Sequence, residues 1–528
     1  VLRHYEVLDL LAIRIPAESL IELAIEEDVK RVSLDDAVVA GSTILKTVAN
    51  APTGTSTNSS YKGNNQTVAI LDTGVAYHGD LSGSVRQYSF LNGAFPRPVI
   101  DDGDIDSYRS SPRVDGYGHG THIAGIIAGS GLNSLGVYRG PASQVDILSL
   151  QVLAENGHGQ MSDVMAAIDW LLKYGPYFDV SVANLSLGKP ITESNTTDPL
   201  VLAVERLWDN GVVVVVAAGN YGREGYFSIT SPGNSRKIIT VGSLTDNGTG
   251  SNFGDDYASS YSSRGPTVED HVVKPDLVAP GNKLVAAVPV GANLATLLPG
   301  NVVACSVNSY CSDNYLELSG TSMATGVVSA AAAMMLEKQS WLSPATVKAR
   351  LMRSARHIDE SPIVAGAGLL DIDAAMNDTG VVTGQALSPL MTFDSATGGT
   401  LIQDTATLWG DDLWGAGDLW TDGVNANGYL WTDGVAANGF LWTDGVQANG
   451  YLWTDGIAAN GYLWTDGGVA AFGYLWTDGV NANGYLWTDG GIDAKGYLWT
   501  DGGGFRALSL FDLYSENPSL NDDDNGPE

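Results

Sequence analysis

Apolar residues are spaced differently in different parts of the chain, and the spacing predicts its elements. The runs VAIL at 68–71 and VVVVVAA at 212–218 are short, continuous and rich in β-branched residues. Such runs are typical of strands that are buried on both faces of a parallel sheet. The Ala-rich stretch Val327 to Lys338 contains neither glycine nor proline and predicts a helix. Together these elements predict an α/β core built on parallel strands.

The first 40 residues have a pattern of their own. They predict a strand (Tyr5 to Ile15), a helix that opens after Pro16 (Glu18 to Glu26) and a second strand (Val29 to Leu34). The following residues, 41–65, are rich in Ser, Thr, Asn and Gly, which is typical of a linker. Residues 1–40 are therefore predicted to form a small α+β unit that is either joined to the core by a linker or packed on it permanently.

Residues 406–512 are dominated by a repeat with the core LWTDG, between a linker (381–405) and an acidic tail (513–528). Its tryptophans stand at 420, 431, 442, 453, 464, 476, 487 and 499, a spacing of 11 residues that twice becomes 12. In each unit Tyr-Leu-Trp-Thr between Gly-containing turn signals is a strand candidate. Three interpretations stay open: a stacked β array of solenoid or hairpin type for adhesion or surface retention, a disordered low-complexity tail, and a carbohydrate-binding surface of exposed tryptophan.

Charge and composition argue against several classes of partner. Lys and Arg total 27 against 60 Asp and Glu, a net charge of −33 among 528 residues, which disfavours nucleic acid and anionic membranes. From Val381 onward 20 acidic residues face two basic ones, a bias that usually serves solubility or salt tolerance. No run of about 20 apolar residues occurs, so no membrane span is predicted. The sequence opens at Val1 without methionine, so any signal peptide is missing from it and export cannot be read directly.

Ser322, in the run SGTSMATG, is the strongest candidate for a nucleophile. It stands directly before the predicted helix, where free backbone N–H groups and the positive end of the helix dipole favour negative charge on oxygen. The alternative role is an ordinary helix cap, for which Ser and Thr are common. A serine hydroxyl needs a base and an orienting acid to become reactive. The choice between a nucleophile and a helix cap therefore depends on whether the sequence offers such partners.

Candidate partners lie in three other segments. His119 stands between two glycines that leave room for close approach, whereas His122, one turn later, is expected to be a packed or capping histidine. Asp72 ends the apolar run at 68–71, at the strand end where sites form in open α/β sheets. Asn220 ends the second run, and its amide can donate a hydrogen bond to an oxyanion. Taken singly, the Asp and the Asn are ordinary turn residues.

These segments together resemble the subtilases, the subtilisin-like serine peptidases. The motifs are DTG (72–74), GHGTHIAG (118–125), AAGN (217–220) and SGTSMAT (319–325), in the family's order and spacing. Further matches are ANLSLG (183–188), SSRGP (262–266), KPDLVAPG (274–281) and GAGLLDIDAA (366–375). The resemblance implies a peptidase domain over residues 66–380, with a mostly parallel central sheet flanked by helices on both faces.

The resemblance also implies a reaction. It identifies the protein as a secreted or cell-surface serine endopeptidase that cleaves proteins through an acyl-enzyme on Ser322. Asp72 would orient His119, the general base and acid, and Asn220 with the backbone N–H of Ser322 would form the oxyanion hole. One position departs from the family: Gly326 stands where a proline usually follows the nucleophile, and glycine is conformationally looser.

Two rims for an extended peptide follow from the same resemblance. Residues Gly157, His158 and Gly159 would pair with the substrate main chain on one side and Ser186, Leu187 and Gly188 on the other. Ala217, Ala218 and Gly219 would line the main specificity pocket with the second rim. His158 is either a solvated loop histidine or a residue that makes its subsite prefer acidic side chains at low pH.

The family pattern further implies that residues 1–40 are the C-terminal half of a propeptide. Such a segment acts as a folding aid and an inhibitor, and it is removed by self-processing within the linker 41–65. Catalysis would need no cofactor. A structural calcium ion is left open, because the loop Gly129 to Gly140 departs from the family's calcium loop and no ligands are assigned. Cys305 and Cys311 are a disulfide candidate pair, with free buried thiols as the alternative.

Two rival functions come from different classes. In one the repeats are the function and bind a cell surface or polysaccharide, with the domain as a silent carrier. In the other the enzyme is an esterase, which differs from a peptidase only in the leaving group. Retention of Asp72, His119, Asn220 and Ser322 favours an active peptidase over the silent carrier.

Overall fold

The computed structural model gives backbone and side chains for a large, interrupted part of the chain. The described ranges are 7, 58–81, 85–96, 111–246, 255–303, 314–358 and 360–392; elsewhere it describes only the backbone of short strands. The chain forms two compact units, Val1–Ser388 and Pro389–Glu528. The predicted helix Glu18–Glu26, the predicted strand Val29–Leu34 and the pair Cys305 and Cys311 lie outside the described residues.

The elements of the first unit are as follows. Its strands are β1 (Arg3–Tyr5), β2 (Leu10–Ala12), β3 (Ala37–Ala40), β4 (Thr67–Asp72), β5 (Val85–Ser89), β6 (Ile100–Asp101), β7 (Asp104–Ile105), β8 (Asp146–Gln151), β9 (His158–Gln160), β10 (Val180–Leu185), β11 (Leu187–Gly188), β12 (Val213–Ala217), β13 (Ile239–Thr245), β14 (Tyr257–Ala258), β15 (Leu277–Pro280), β16 (Leu284–Val288), β17 (Val302–Ala304) and β18 (Asn314–Leu318). Its α-helices are α1 (His119–Ala128), α2 (Met161–Tyr174), α3 (Pro199–Asp209), α4 (Asn293–Leu297), α5 (Thr321–Lys338), α6 (Pro344–Arg353), α7 (Pro362–Ala365) and α8 (Ile372–Asn377).

A large sheet forms the centre of this unit and confirms the predicted α/β fold. Its strand order is β14-β13-β12-β10-β4-β8-β5, with β15 also paired to β13. All of these pairings are parallel except β13 with β14. The two apolar runs of the sequence are β4 and β12, and every residue of both strands is buried. Continuous apolar strands are expected where both faces of a parallel sheet are covered.

Helices cover the sheet and bring distant segments together. The long helix α5 packs on β10, β12 and β13 and against α1, and α2 packs against α3. Every residue of α5 from Thr321 to Leu336 is buried, which explains why this stretch is Ala-rich and lacks a polar face. The carboxyl ends of β4 and β12 therefore lie beside the first turns of α1 and α5.

The N-terminal part of the unit also contacts the core. β1 and β2 form an antiparallel pair in place of one continuous strand, and the backbone N–H of Val7 donates to Asp169 of α2 at 2.7 Å. At the end of the predicted linker, the N–H groups of Lys62 and Gly63 both donate to Glu337 at 2.6 Å. Residues 58–63 are therefore fixed to the domain rather than extended from it.

The second unit contains a parallel sheet made by the repeats. Its strands are β19 (Leu390–Phe393), β20 (Thr400–Gln403), β21 (Asp418–Asp422), β22 (Asn425–Asn427), β23 (Tyr429–Asp433), β24 (Ala436–Thr443), β25 (Gln447–Asn449), β26 (Leu452–Thr454), β27 (Ala458–Asp466), β28 (Ala470–Phe472), β29 (Leu475–Asp478), β30 (Asn481–Thr488), β31 (Asp493–Ala494), β32 (Leu498–Thr500) and β33 (Arg506–Ala507). Each described pairing among β21 to β33 is parallel, and those between LWT segments place like residues opposite each other, as with Trp420 and Trp431 or Trp442 and Trp453. Hairpins need antiparallel strands, so these pairings fit stacked coils and not a stack of hairpins.

Among the helices that the structure describes, none has the length and apolar character needed to cross a lipid bilayer.

Candidate active site

Asp72 and His119 meet at the carboxyl end of β4. Asp72 is the last residue of that strand, His119 is the first residue of α1, and both side chains are buried. The imidazole Nδ1 lies 2.8 Å from Oδ1 and 2.9 Å from Oδ2 of Asp72. A carboxylate in this position keeps the proton on Nδ1, so Nε2 carries the lone pair that a general base needs.

Hydrogen bonds at the start of α1 fix the histidine in place. Asp115 accepts from the N–H of Gly118 at 2.7 Å and from the N–H of Thr121 at 2.8 Å. Burial raises the pKa of Asp115, and these hydrogen bonds act against that rise. A methyl group on Gly120 would clash with the carbonyl of Gly74. Gly120 therefore permits the close approach of the start of α1 to Gly74, as the glycines around His119 predicted.

His122 is the packed histidine that we expected. Its Nε2 lies 2.8 Å from the carbonyl oxygen of Leu316, and the side chain is buried. Burial is the main cause that lowers its pKa to about 3. His122 therefore stays neutral over the pH range in which a histidine base works.

Ser322 lies in the first turn of α5, against the end of β10. Its Oγ donates to the carbonyl of Ser186 at 3.3 Å, and the Ser186 hydroxyl donates back to the carbonyl of Ser322 at 3.1 Å. Asn184 extends this contact, donating to Ser186 Oγ at 3.0 Å and accepting from Ser329 Oγ at 2.9 Å. These buried bonds tie α5 to β10 at two points, one of which is the backbone of the candidate nucleophile.

Asn220 stands beside this turn with its amide already oriented. Its Oδ1 accepts from the backbone N–H of Thr321 at 2.9 Å and from Thr321 Oγ1 at 3.2 Å. The carbonyl half of the amide is thus used for structure, and Nδ2 is its donor half. An oxyanion that forms at Ser322 could accept a hydrogen bond from that donor.

Gly326 lies inside α5, one turn after Ser322, and the helix runs through it without a break. A methyl group there would lie 3.1 Å from Cγ2 of Ile126 on α1. This contact is tighter than usual, so glycine allows the helix of Ser322 to approach the helix of His119. The turn behind the nucleophile is therefore packed, although its sequence is looser than the family pattern.

The two predicted substrate rims flank an extended segment of the chain itself. β3 pairs antiparallel with β9 on one side and with β11 on the other. In this register Val39 lies opposite both His158 and Gly188, and Ala40 lies opposite Leu187. In the first predicted rim, His158 and Gly159 pair with β3. Gly157, just before them, has a left-handed φ of 78°, which favours glycine.

Other residues of the site were not found from sequence. Thr73 Oγ1 accepts from the N–H of Gly120 at 2.9 Å, and Gln151 donates to the carbonyl of Thr73 at 3.0 Å. Asp115 had a detectable signal, since an Asp shortly before a helix is a common cap. Thr73 and Gln151 had none, because their partners are distant in sequence.

The structure describes no cluster of three or more His, Cys, Asp or Glu side chains that could hold a metal ion. Near the loop Gly129 to Gly140, the carboxylate of Asp80 accepts from Tyr315 Oη at 2.7 Å and from the N–H of Asn133 at 2.8 Å. The structural calcium ion that the sequence left open remains without assigned ligands.

A buried Asp–His pair on a parallel sheet and a serine at a helix N-terminus are the residue types that serine hydrolases use. The family model of the subtilase family matches residues 63–385. Serine protease AprX of Bacillus subtilis is 36% identical over 317 residues, 59% of this chain and 66% of AprX, slightly less than two thirds of its length. Subtilisin DY of Bacillus licheniformis is 34% identical, over 60% of this chain and 92% of that protein. The chain belongs to the subtilase family and is a serine endopeptidase.

Proposed function

We propose that this protein is an extracellular endopeptidase that cleaves proteins through an acyl-enzyme on Ser322. The observation that carries the proposal is the buried pair His119–Asp72 at the carboxyl end of β4, with Ser322 at the N-terminus of α5, the helix packed on α1. A buried acid, an imidazole with a fixed tautomer and a serine at a helix N-terminus are the parts that acyl transfer needs.

In the proposed reaction Ser322 Oγ attacks the peptide carbonyl while His119 Nε2 takes its proton. Asp72 stabilises the imidazolium that forms. The tetrahedral oxyanion accepts hydrogen bonds from Asn220 Nδ2 and from the N–H of Ser322 at the positive end of α5. His119 then protonates the leaving amine, and water repeats the cycle on the acyl-enzyme with His119 as its base.

The substrate is proposed to bind as an extended strand between β9 and β11. Recognition of this kind uses the main chain, so it tolerates many sequences. The support is that both rims pair with an extended segment, β3, in the antiparallel register. His158 is exposed, which favours the interpretation of this residue as a solvated histidine over a role in substrate preference.

We further propose that residues 1–40 act as an inhibitor and are removed by the enzyme itself. β3 occupies the groove in which a substrate would lie, and the Val7 N–H bonds to α2. A segment that fills the groove would keep a peptidase silent until it is cut. The repeat region is proposed to hold the enzyme at a cell surface or polysaccharide, which its eight regularly spaced Trp residues support.

The test compares Ser322→Ala with Ser340→Ala, an exposed serine after the same helix. In casein hydrolysis, Ser322→Ala is expected to lose all detectable activity and Ser340→Ala to keep the wild-type rate. Loss of activity in both variants, or in neither, would overturn the proposal. Turnover of a simple ester alongside casein separates a peptidase from an esterase.

A further inference from the structure

We propose that Thr230 closes the pocket for the side chain that precedes the scissile bond and restricts that residue to small side chains such as Gly, Ala and Ser. This inference rests on the proposed function above, because it names the substrate class of the same site.

The pocket opens at Ser322 between two backbone walls. One wall is Ser186 to Gly188, whose first carbonyl accepts from Ser322 Oγ at 3.3 Å. The other is Ala217 to Gly219, whose last carbonyl accepts from Thr321 Oγ1 at 3.2 Å. Each wall thus has one end beside the first turn of α5. A substrate side chain next to the attacked carbonyl would enter between the two walls.

The far end of the two walls is joined by the segment Thr230–Ser231. The N–H of Thr230 donates to Ala218 O at 3.0 Å, on the second wall. Ser231 exchanges two backbone hydrogen bonds with Lys189, the residue after the first wall, at 2.9 and 3.0 Å. A segment bonded to both walls forms the floor of the space between them.

The side chain of Thr230 fills the width of this floor. A methyl group on Gly188 would lie 2.5 Å from Thr230 Oγ1, and one on Gly219 would lie 2.9 Å from Thr230 Cγ2. The hydroxyl thus lies beside Gly188 on the first wall and donates to Ala218 O at 3.3 Å on the second, where the γ-methyl lies beside Gly219. Thr230 is only 6% exposed. With both γ atoms in place, little depth remains for a long or aromatic substrate side chain.

The floor is also held rigidly from behind. Asp198 accepts from Ser231 Oγ at 2.8 Å and lies 2.9 Å from Lys189 Nζ, and all three side chains are buried. Its other oxygen caps α3 at the N–H of Leu200. Displacing the floor would break a buried ion pair, which is strongly unfavourable, so a large side chain cannot simply push Thr230 aside.

The chain's own segment in the groove fits this restriction. β3 ends at Ala40, and Gly41 and Ser42 follow in the sequence. All three residues are small, as expected if this segment is the first substrate of the enzyme. The agreement is independent of the contacts of Thr230, because it comes from a different part of the chain.

The test uses the full chain after self-processing and the peptide nitroanilides succinyl-Ala-Ala-Pro-X, with X as Ala or Phe. We expect wild-type kcat/KM to be at least about tenfold higher for Ala than for Phe. Thr230→Gly removes both γ atoms and should raise the Phe/Ala ratio at least about tenfold. Thr230→Val keeps the side-chain shape and should keep the wild-type ratio. If Thr230→Gly does not fold, Thr230→Ala removes the same two γ atoms and replaces it.

Equal turnover of Ala and Phe by the wild type would overturn the inference. An unchanged ratio in the Gly or Ala variant would also overturn it, provided that the variant is labelled by a fluorophosphonate. That labelling separates the two proposals. A wild-type enzyme that is neither labelled nor active on any substrate contradicts the proposed function, and this inference fails with it.

Discussion

Asn220 has an observed structural role and a proposed chemical one. Its Oδ1 accepts from the Thr321 N–H at 2.9 Å, which fixes the amide and also anchors the first turn of α5. Nδ2 is then aimed by a bond that exists before any substrate binds. Donors that are oriented in advance stabilise a developing oxyanion without reorganisation.

Asn220→Ala is therefore expected to lower kcat by roughly 100- to 1,000-fold with little change in KM. Asn220→Asp retains an acceptor for Thr321 but loses the donor, so it should show a loss of similar size. Steady-state kinetics on a peptide nitroanilide measures both effects. If Asn220→Asp kept wild-type kcat, the role of Asn220 would be purely structural.

Gly326 shows the limit of judging one residue from its sequence. The departure from proline suggested a loose turn, but the residue is buried inside α5 and faces Ile126. Its consequence depends on a neighbour about 200 positions earlier in the chain. The sequence around Gly326 carries no information about that contact.

At the scale of elements, local pattern was enough for the strands and helices that carry the site. The apolar runs predicted β4 and β12, and the Ala-rich stretch predicted α5. The helix begins at Thr321 rather than Val327, because packing against α1 and the sheet overrides the weak helix propensity of Gly, Ser and Thr. The four candidate catalytic residues were identifiable because each follows a predicted strand or starts a helix.

Other parts of the site depend on contacts between elements and could not be predicted. Thr230 forms the pocket floor only because its segment bonds to Ala218 and Lys189. β3 was not predicted as a strand, since its four residues, AVVA, have no periodicity to detect. It becomes a strand through pairing with β9 and β11.

The register of β3 predicts where the chain is cut. Ala40 pairs with Leu187, so the next residue along each strand would bring Gly41 to Ser186, beside Ser322 Oγ. We expect self-processing at Gly41–Ser42, within one residue. N-terminal sequencing of the incubated full-length chain should find this new terminus, and Ser322→Ala should remain uncut. A first cut more than one residue away from the Gly41–Ser42 bond would contradict the register.

At the scale of the whole first unit, a buried ionic network holds its C-terminal end. Lys348 Nζ donates to Arg236 O at 2.9 Å and Ser388 Oγ at 2.8 Å, and it lies 3.2 Å from Asp276 Oδ1. Lys274 lies 2.6 Å from the other Asp276 oxygen. Ser388 is the last residue of the unit. In the sequence Lys348 is an unremarkable helical lysine, so only the tertiary structure reveals this anchor.

The network makes stability depend on pH. Burial is the main cause that lowers the pKa of Lys348 to about 7, and burial also lowers the pKa of Lys274. Burial alone would raise the pKa of Asp276, but the two ammonium groups outweigh it and hold that pKa below its ordinary value.

Between pH 7 and about 10.5 the unfolded chain binds a proton on Lys348 that the folded chain does not, so stability should rise with pH in this window. Below pH 7 Lys348 is protonated in both the folded and the unfolded chain, so the full free-energy cost of burying its charge remains.

Urea unfolding of the inactive Ser322→Ala chain at pH 7 and pH 9 measures this effect without autolysis. The free energy of unfolding should increase by up to about 1.4 kcal/mol per pH unit for this one group. Adding Lys348→Met should reduce the slope, whereas Lys173→Met, at an exposed lysine, should not. Equal slopes in all three chains would show that Lys348 titrates as an ordinary surface lysine.

The most direct measurement of the central claim is the site at which the enzyme reacts with a serine-directed fluorophosphonate. The processed full-length chain is labelled, digested and mapped by mass spectrometry. We predict a single adduct on Ser322, with labelling lost in His119→Ala because the hydroxyl then lacks its base. An active enzyme that carries the adduct on another serine, or no adduct at all, would contradict the assignment of Ser322 as the nucleophile.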